Sequence, residues 1–489
     1  MAADPPPGAK ETAETANEIG VDRWVEQSDE RHGEHQGWTA PIRRQFDKLN
    51  DPSKMAIFMV AAAIFPFLVA PASIRIGITV LLLAIAALGL NVIVGWAGLL
   101  DLGYVAFYGF GAYFYAIIAS DQIGAHWPTW IAIPIIVVAS GCLGILLSLP
   151  SRRLSGDYLA IMTLFFAQIF VEVARNFSRL PFVSDDLDLT GGPNGVTGVE
   201  PWDLFGFVFN TFTRQYYLAL VFLALLIVGL YNLDRSRTGR AWRALREDPI
   251  AAEHMTTPLN RTKMLAFAIG AGIAGLSGTM FAAVQVGVFP NNFSLVFLIT
   301  VYAAVILGGS GSISGAVLGA VVIAYLPELL RNPTYAAWLF YVALAGAVFF
   351  AIRSRRLMAI TVGAVAALGF VVRLVASGIW DSATTGKAND AFLSRLVDDW
   401  VLVLGENQDL ISSYAFVAGI VGVLLVIELS GRWRAVALVP TIYIWVLVWE
   451  NKLTFEPSIT RQLLFDALLV VMMAARPQGL LGTRRVEIT

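Results

Sequence analysis

Residues that could do covalent chemistry are few in this chain, and their spacing does not bring them together. Cys142 is the one cysteine and lies within an apolar run, which excludes an internal disulfide or a cysteine metal cluster and leaves an inert buried thiol as the expectation. His126 and His254 read as isolated on opposite sides of the apolar segments, and His32 and His35 fall in a polar stretch with no further ligand nearby. No acid, base and nucleophile set emerges from them, and neither a metal nor a cofactor is expected. Gly386-Lys387 has Asp381 where the first glycine of the phosphate loop G-x-x-x-x-G-K-S/T belongs and Ala388 where the hydroxyl belongs, so any ATP hydrolysis falls to another chain.

Gly270-Ala-Gly-Ile-Ala-Gly275 matches the dinucleotide pattern G-x-G-x-x-G, but it sits inside an apolar run with no strand before it and no acidic ribose partner. Small residues at 270, 272, 275 and 278 instead let helices approach closely in lipid, or line a path through it. Glu172 with Arg175 and Glu328 with Arg331 stand three residues apart, where local pairing suffices, and Asp466 lies near enough to the outer end of its run to reach water. A chain of buried carboxylates for proton coupling is absent. Gly95, Gly98, Gly103, Gly109 and Gly111 interleave with Asn91, Asp101, Tyr104 and Tyr108. Such a segment is either a broken helix lining a pathway or a cytoplasmic turn with Asp101 solvated.

The elements that must position these residues follow from composition. With 57% hydrophobic and 14% charged residues and a mean hydropathy of +0.68, the chain is built for lipid. Apolar runs near 55–72, 76–97, 103–119, 129–149, 158–175, 215–233, 264–286, 294–309, 314–330, 335–352, 357–377, 412–429, 435–450 and 462–475 predict membrane helices. Those around Gly98 to Gly111 and Gly308 to Gly315 predict broken or re-entrant segments. Residues 1–54 are polar, with no apolar core or cleavage site of a signal peptide, and read as a disordered cytoplasmic extension. Arg and Lys recur at 43–54, 152–153, 235–246, 353–356, 432–434 and 484–485, whereas 176–214 is acidic, so the positive-inside rule puts both termini in the cytoplasm. The net charge of -2 says little by itself, because what informs is where Lys and Arg sit relative to the apolar runs, and nucleic acid is not expected as a partner.

Residues 234–263 are patterned beyond what a tether needs. Ala241, Trp242, Leu245 and Arg246 share a helical stripe, Asp248 offers an N-cap oxygen, and Pro249 suits the first turn of a second helix. Two short helices with a sharp joint can transmit force from a partner, or the basic stretch can lie on anionic lipid.

Six segments in order resemble one known family, the branched-chain amino acid ABC transporter permeases of the LivM type, whose relatives include urea and amide importers. They are Leu90 to Tyr113, Gly156 to Leu164, Leu189 to Val196, the 238–255 loop, Val305 to Gly315 and Arg476 to Gly482. The resemblance implies an all-α polytopic membrane protein of ABC importer permease type in a bacterial cytoplasmic membrane. It implies two ABC ATPase subunits, a second related permease and an extracytoplasmic solute-binding protein as partners, besides the lipid bilayer. The ATPase-coupling residues it implies are Gly239, Arg240, Arg243, Ala244, Leu245, Glu247, Asp248 and Pro249, and the translocation-path candidates are Asn91, Gly95, Gly98, Tyr104, Tyr108 and Gly111. On this reading 1–54 is the extension, 55–332 the permease core and 461–489 the terminal span and tail. Met255-Thr-Thr-Pro258 departs from the family, which usually has Gly after the Met, and 333–460 is an insert of about four added helices with an outward loop at 378–411 that holds the amphipathic stretch Phe392 to Leu404. The competing reading is a self-contained, ion- or proton-coupled secondary transporter.

Overall fold

The computed structural model describes residues 51–121, 126–151, 156–177, 189–351, 355–379, 400–404, 408–429, 431–453 and 479–481. By internal contacts the chain falls into two units, Met1–Ala61 and Ala62–Thr489, and the described part of the first is the helical stretch 51–61. Helix α1, Asp51–Leu68, is followed by α2, Pro71–Leu90, which carries Pro71 in its first turn and runs into a π-helical turn, Asn91–Trp96. Then come α3, Tyr104–Ile118; α4, Thr129–Ser151; α5, Asp157–Asn176; and α6, Phe212–Arg235. After two short helices, α7, Arg237–Glu247, and α8, Pro249–His254, the body resumes with α9, Leu259–Gln285. It continues through α10, Leu295–Gly308; α11, Ile313–Leu329; α12, Pro333–Ala351; α13, Arg355–Ile379; α14, Gln408–Glu428; and α15, Gly431–Val448, with a second π-helical turn at Trp449–Leu453.

Apart from paired two-residue strands, the regular structure among the described residues is helical, as a segment in hydrocarbon must be to satisfy its own backbone. The apolar runs from 55–72 to 435–450 fall on helices, and 462–475 lies outside the described residues. Among the described residues, seven helices are long and apolar enough to cross a membrane: Ser73–Trp96, Thr129–Pro150, Asp157–Asn176, Phe212–Arg235, Leu259–Gln285, Arg356–Gly378 and Leu410–Glu428. The pair α11 and α12 is bent by 114° at its junction, and α1, α3, α10 and α15 supply shorter apolar stretches. The molecule is an all-α, multi-pass membrane protein.

Helices α2 and α9 form its centre, with 89% and 78% of their spans buried. Helix α9 packs on α4, α3 and α2 through small residues, with close approach at Gly270, Gly275 and Gly278, whereas a Cβ on Gly272 would come no nearer than 3.4 Å to Val137 O. The Ser277 hydroxyl donates to Leu82 O across that seam at 2.9 Å. Strand β1, Val196–Thr197, pairs antiparallel with β4, Gly287–Val288, and β2, Asp203–Leu204, with β3, Phe207–Val208.

Two expectations about single residues change here. Cys142 is exposed, because α4 turns one side to its neighbours and only 39% of its span is buried. His126 is not isolated: its Nε2 lies 3.5 Å from Asp121 Oδ1 and its Nδ1 3.3 Å from Glu200 Oε1. A backbone bond from Glu200 N to Ala119 O, 2.8 Å, brings Glu200 back to the end of α3. The ion pairs Arg175 with Glu172 and Arg331 with Glu328 are present as expected.

Candidate coupling element and the chain breaks it touches

Ser236 alone separates α6 from α7, and its hydroxyl caps the new helix by accepting from Gly239 N at 3.3 Å. Gly239 is buried where α7 turns back on the end of α6, and a Cβ there would stand 2.6 Å from Leu233 O. Arg240 donates to Arg235 O at 3.0 Å and Arg243 to Asp234 O at 3.0 Å, so these two cations close the carbonyl end of α6. Helix α7 ends at Glu247. Asp248 is extended and accepts from Ile250 N at 2.8 Å and Ala251 N at 3.1 Å, capping α8, whose first residue is Pro249. The expected pair of short helices with a sharp joint is therefore present.

The two sides of α7 differ in kind. Trp242 and Leu245 are buried, Trp242 donating to Thr262 O at 2.9 Å and stacking on Trp96 with centroids 6.0 Å apart. Ala241 and Arg246 are half-buried on the same stripe. Arg243, Ala244, Glu247, Asp248 and Pro249 are exposed. Ile250 and Met255 extend that surface, 70% and 79% exposed; sequence reading passed over Ile250 and noted Met255 only for the residue that follows it. With its apolar stripe buried in its own chain, α7 has little apolar surface left to lay on lipid.

Inward, α7 meets both places where the helical path is broken. Arg246 Nη1 donates to Gly95 O, and its Nη2 to Ser310 Oγ at 3.3 Å. Gly98 ends the first break with φ 69°, and Gly309 and Gly311 open the second with φ 113° and 94°. Asn91 ties the breaks together, accepting from Gly311 N at 2.8 Å and donating to Ser312 O at 3.4 Å, while Trp96 Nε1 donates to Gly311 O at 3.0 Å. Residues 479–481 close the second break from below: Leu480 N and Leu481 N donate to Leu307 O and Gly308 O at 2.8 and 2.9 Å. They satisfy carbonyls left bare at the end of α10.

Among the path candidates, Asn91, Gly95, Tyr104, Tyr108 and Gly111 are buried and Gly98 is exposed. Tyr104 donates to Ala86 O at 2.7 Å, Tyr108 packs among Phe281, Phe293 and Phe297, and Gly111 lets α3 reach the backbone of Gly275. Asp101 is fully buried, so the solvated turn is ruled out. Its Oδ1 accepts from Gly103 N at 2.8 Å, its carbonyl accepts from Tyr302 at 2.6 Å, and Oδ2 has no hydrogen-bond partner among the described residues.

Residues 73–353 match the family described as branched-chain amino acid transport system / permease component. The chain is 37% identical over 301 residues to the high-affinity branched-chain amino acid transport system permease protein LivM of Salmonella typhimurium, covering 57% of this chain and 68% of that protein. The protein of the same description from Escherichia coli is 36% identical over 306 residues, 57% of this chain and 69% of the relative. The probable branched-chain amino acid transport permease protein LivM of Methanocaldococcus jannaschii is 26% identical over 258 residues, 49% and 71% of the two chains. No solved structure matches. Helices α13 to α15 lie past the family match, which nonetheless spans more than half of the 489 residues. The chain belongs to the family of branched-chain amino acid transport system permease components.

Proposed function

We propose that this permease is a subunit of an ATP-driven importer of branched-chain amino acids or similar small polar solutes, seated in a bacterial cytoplasmic membrane with both termini inside. Its partners on this reading are two ATPase chains, a second related permease chain and an extracytoplasmic binding protein that delivers the solute. The observation that supports it is the division of α7. One side is fixed to the chain breaks, and the other presents Ala244, Glu247, Asp248 and Pro249, with Ile250 and Met255, as a free polar and apolar knob. A knob of that kind fits a cleft on a separate ATPase, and its movement is a bias on a two-state element rather than covalent chemistry. Gly239, Arg240, Arg243 and Leu245 hold the knob on its own chain. Asn91, Gly95, Gly98, Tyr104, Tyr108 and Gly111 fix the backbone beside which the solute passes.

Replacing Glu247 and Asp248 together by Ala tests this. Asp248 contributes a helix cap of about 1 kcal/mol, too little to unfold a multi-pass protein, so the variant should reach the membrane. Its ATP-driven leucine uptake should fall about tenfold, the equivalent of ~1.4 kcal/mol of lost coupling. Unchanged uptake, or transport by this chain alone on an ion gradient, would refute the assignment.

A further inference from the structure

We propose that Arg246 is the positioning residue that carries displacement of the α7–α8 joint into both chain breaks at once, a role that rests on reading that joint as the ATPase-docking element. Arg246 lies two residues before the joint at Asp248, yet its guanidinium ends between two segments far away in sequence, 151 residues from Gly95 and 64 from Ser310. A planar fork with donors at fixed angles can hold two such acceptors together, and a lysine ammonium cannot match that geometry.

The surroundings are shaped to this one side chain. A Cβ on Gly98 would stand 2.8 Å from Arg246 Cγ, and one on Gly311 would stand 2.8 Å from Arg246 Nη1. Both glycines also take positive φ, 69° and 94°, so each is needed for its backbone and for the room it leaves. Because Asn91 and Trp96 bond the first break to the second, a shift of the guanidinium moves the two as a unit. The stack of Trp242 on Trp96 runs parallel to this link and transmits push, whereas the Arg246 hydrogen bonds transmit pull.

The test uses the assembled transporter in proteoliposomes, with its ATPase chains and binding protein and radiolabelled leucine as the probe. Arg246→Ala should lower leucine moved per ATP hydrolysed about tenfold, with ATPase co-purification as in the unaltered complex and only the small fall in melting temperature that two lost hydrogen bonds bring. Arg246→Lys should recover part of that loss, and Ser310→Ala, which removes one arm, should lower the ratio about threefold. An unchanged ratio in Arg246→Ala overturns the proposal, as does a melting temperature that falls in step with the ratio. If Arg246→Ala does not assemble, Ser310→Ala decides, and an unchanged ratio there overturns it. Normal uptake in the Glu247 and Asp248 double variant defeats the docking reading itself. Lost uptake in that variant beside a normal ratio in Arg246→Ala defeats only the transmission role.

Discussion

Gly278 in α9 and Gly363 in α13 both sit in long apolar helices, but a methyl group would fare differently at each. Built on Gly278 it falls onto the carbonyl of Tyr108 and 2.9 Å from Ala112 N, whereas on Gly363 it meets nothing within 4 Å. The contrast extends to whole elements. Helix α2 with its π turn is 89% buried and α9 78%, against 17% for α13 and 11% for α14. In the first region glycine is a contact residue, because helices in lipid associate by close van der Waals approach rather than by burying apolar surface from water. The later helices rely on a few specific groups. Phe340 stacks on Trp449 with centroids 4.3 Å apart, Tyr341 donates to Glu450 at 2.6 Å, and Asn451 joins Leu402 O and Leu404 N to the second π turn.

That comparison can be broken at three points. The largest effect is expected for Gly278→Val, where overpacking against a backbone that cannot yield costs ~3 kcal/mol or more. Detergent-purified protein should lose its monodisperse peak, and an unaltered profile would mean that the α3–α9 seam is looser than drawn. Next, Asn451→Leu leaves Leu404 N and Leu402 O buried without their partner, for a loss of about 2 kcal/mol. The melting temperature should fall while the ATPase chains still co-purify, and joint loss of both would show that the later helices support the docking surface. The smallest is Gly363→Ala, which should stabilise α13 by ~1 kcal/mol or less and leave uptake unchanged. Aggregation or lost uptake there would show that this face meets protein and not lipid.

How much of this was readable beforehand depends on which force sets each feature. Helix positions were legible, because about 20 apolar residues in a row have few alternatives in hydrocarbon. The joint of α7 and α8 was legible too, since Asp248 and Pro249 act within one turn of themselves. Cys142 was misplaced for a reason peculiar to membranes: apolar neighbours suit a lipid-facing side as well as an interior, so composition stops separating inside from outside. Asp101 stays open in sequence between a broken helix lining a pathway and a solvated turn. A lone carboxylate in a glycine-flanked turn suits solvent, but Tyr302 and Thr163, from distant helices, cover and bond that turn. The stripe bearing Arg246 could be drawn on a helical wheel, while its acceptors on Gly95 and Ser310 could not, because only the tertiary fold brings three segments to one guanidinium.

The pairing of residues 479–481 with Leu307 and Gly308 has a consequence for biogenesis. A ribosome delivers the Gly-rich break long before the segment that seals it, and α12 to α15 must all emerge in between. Until then the carbonyls of Leu307 and Gly308 await those donors. The second break is thereby closed by a segment made only after α12 to α15, so a local turn in this chain depends on residues about 170 positions further on.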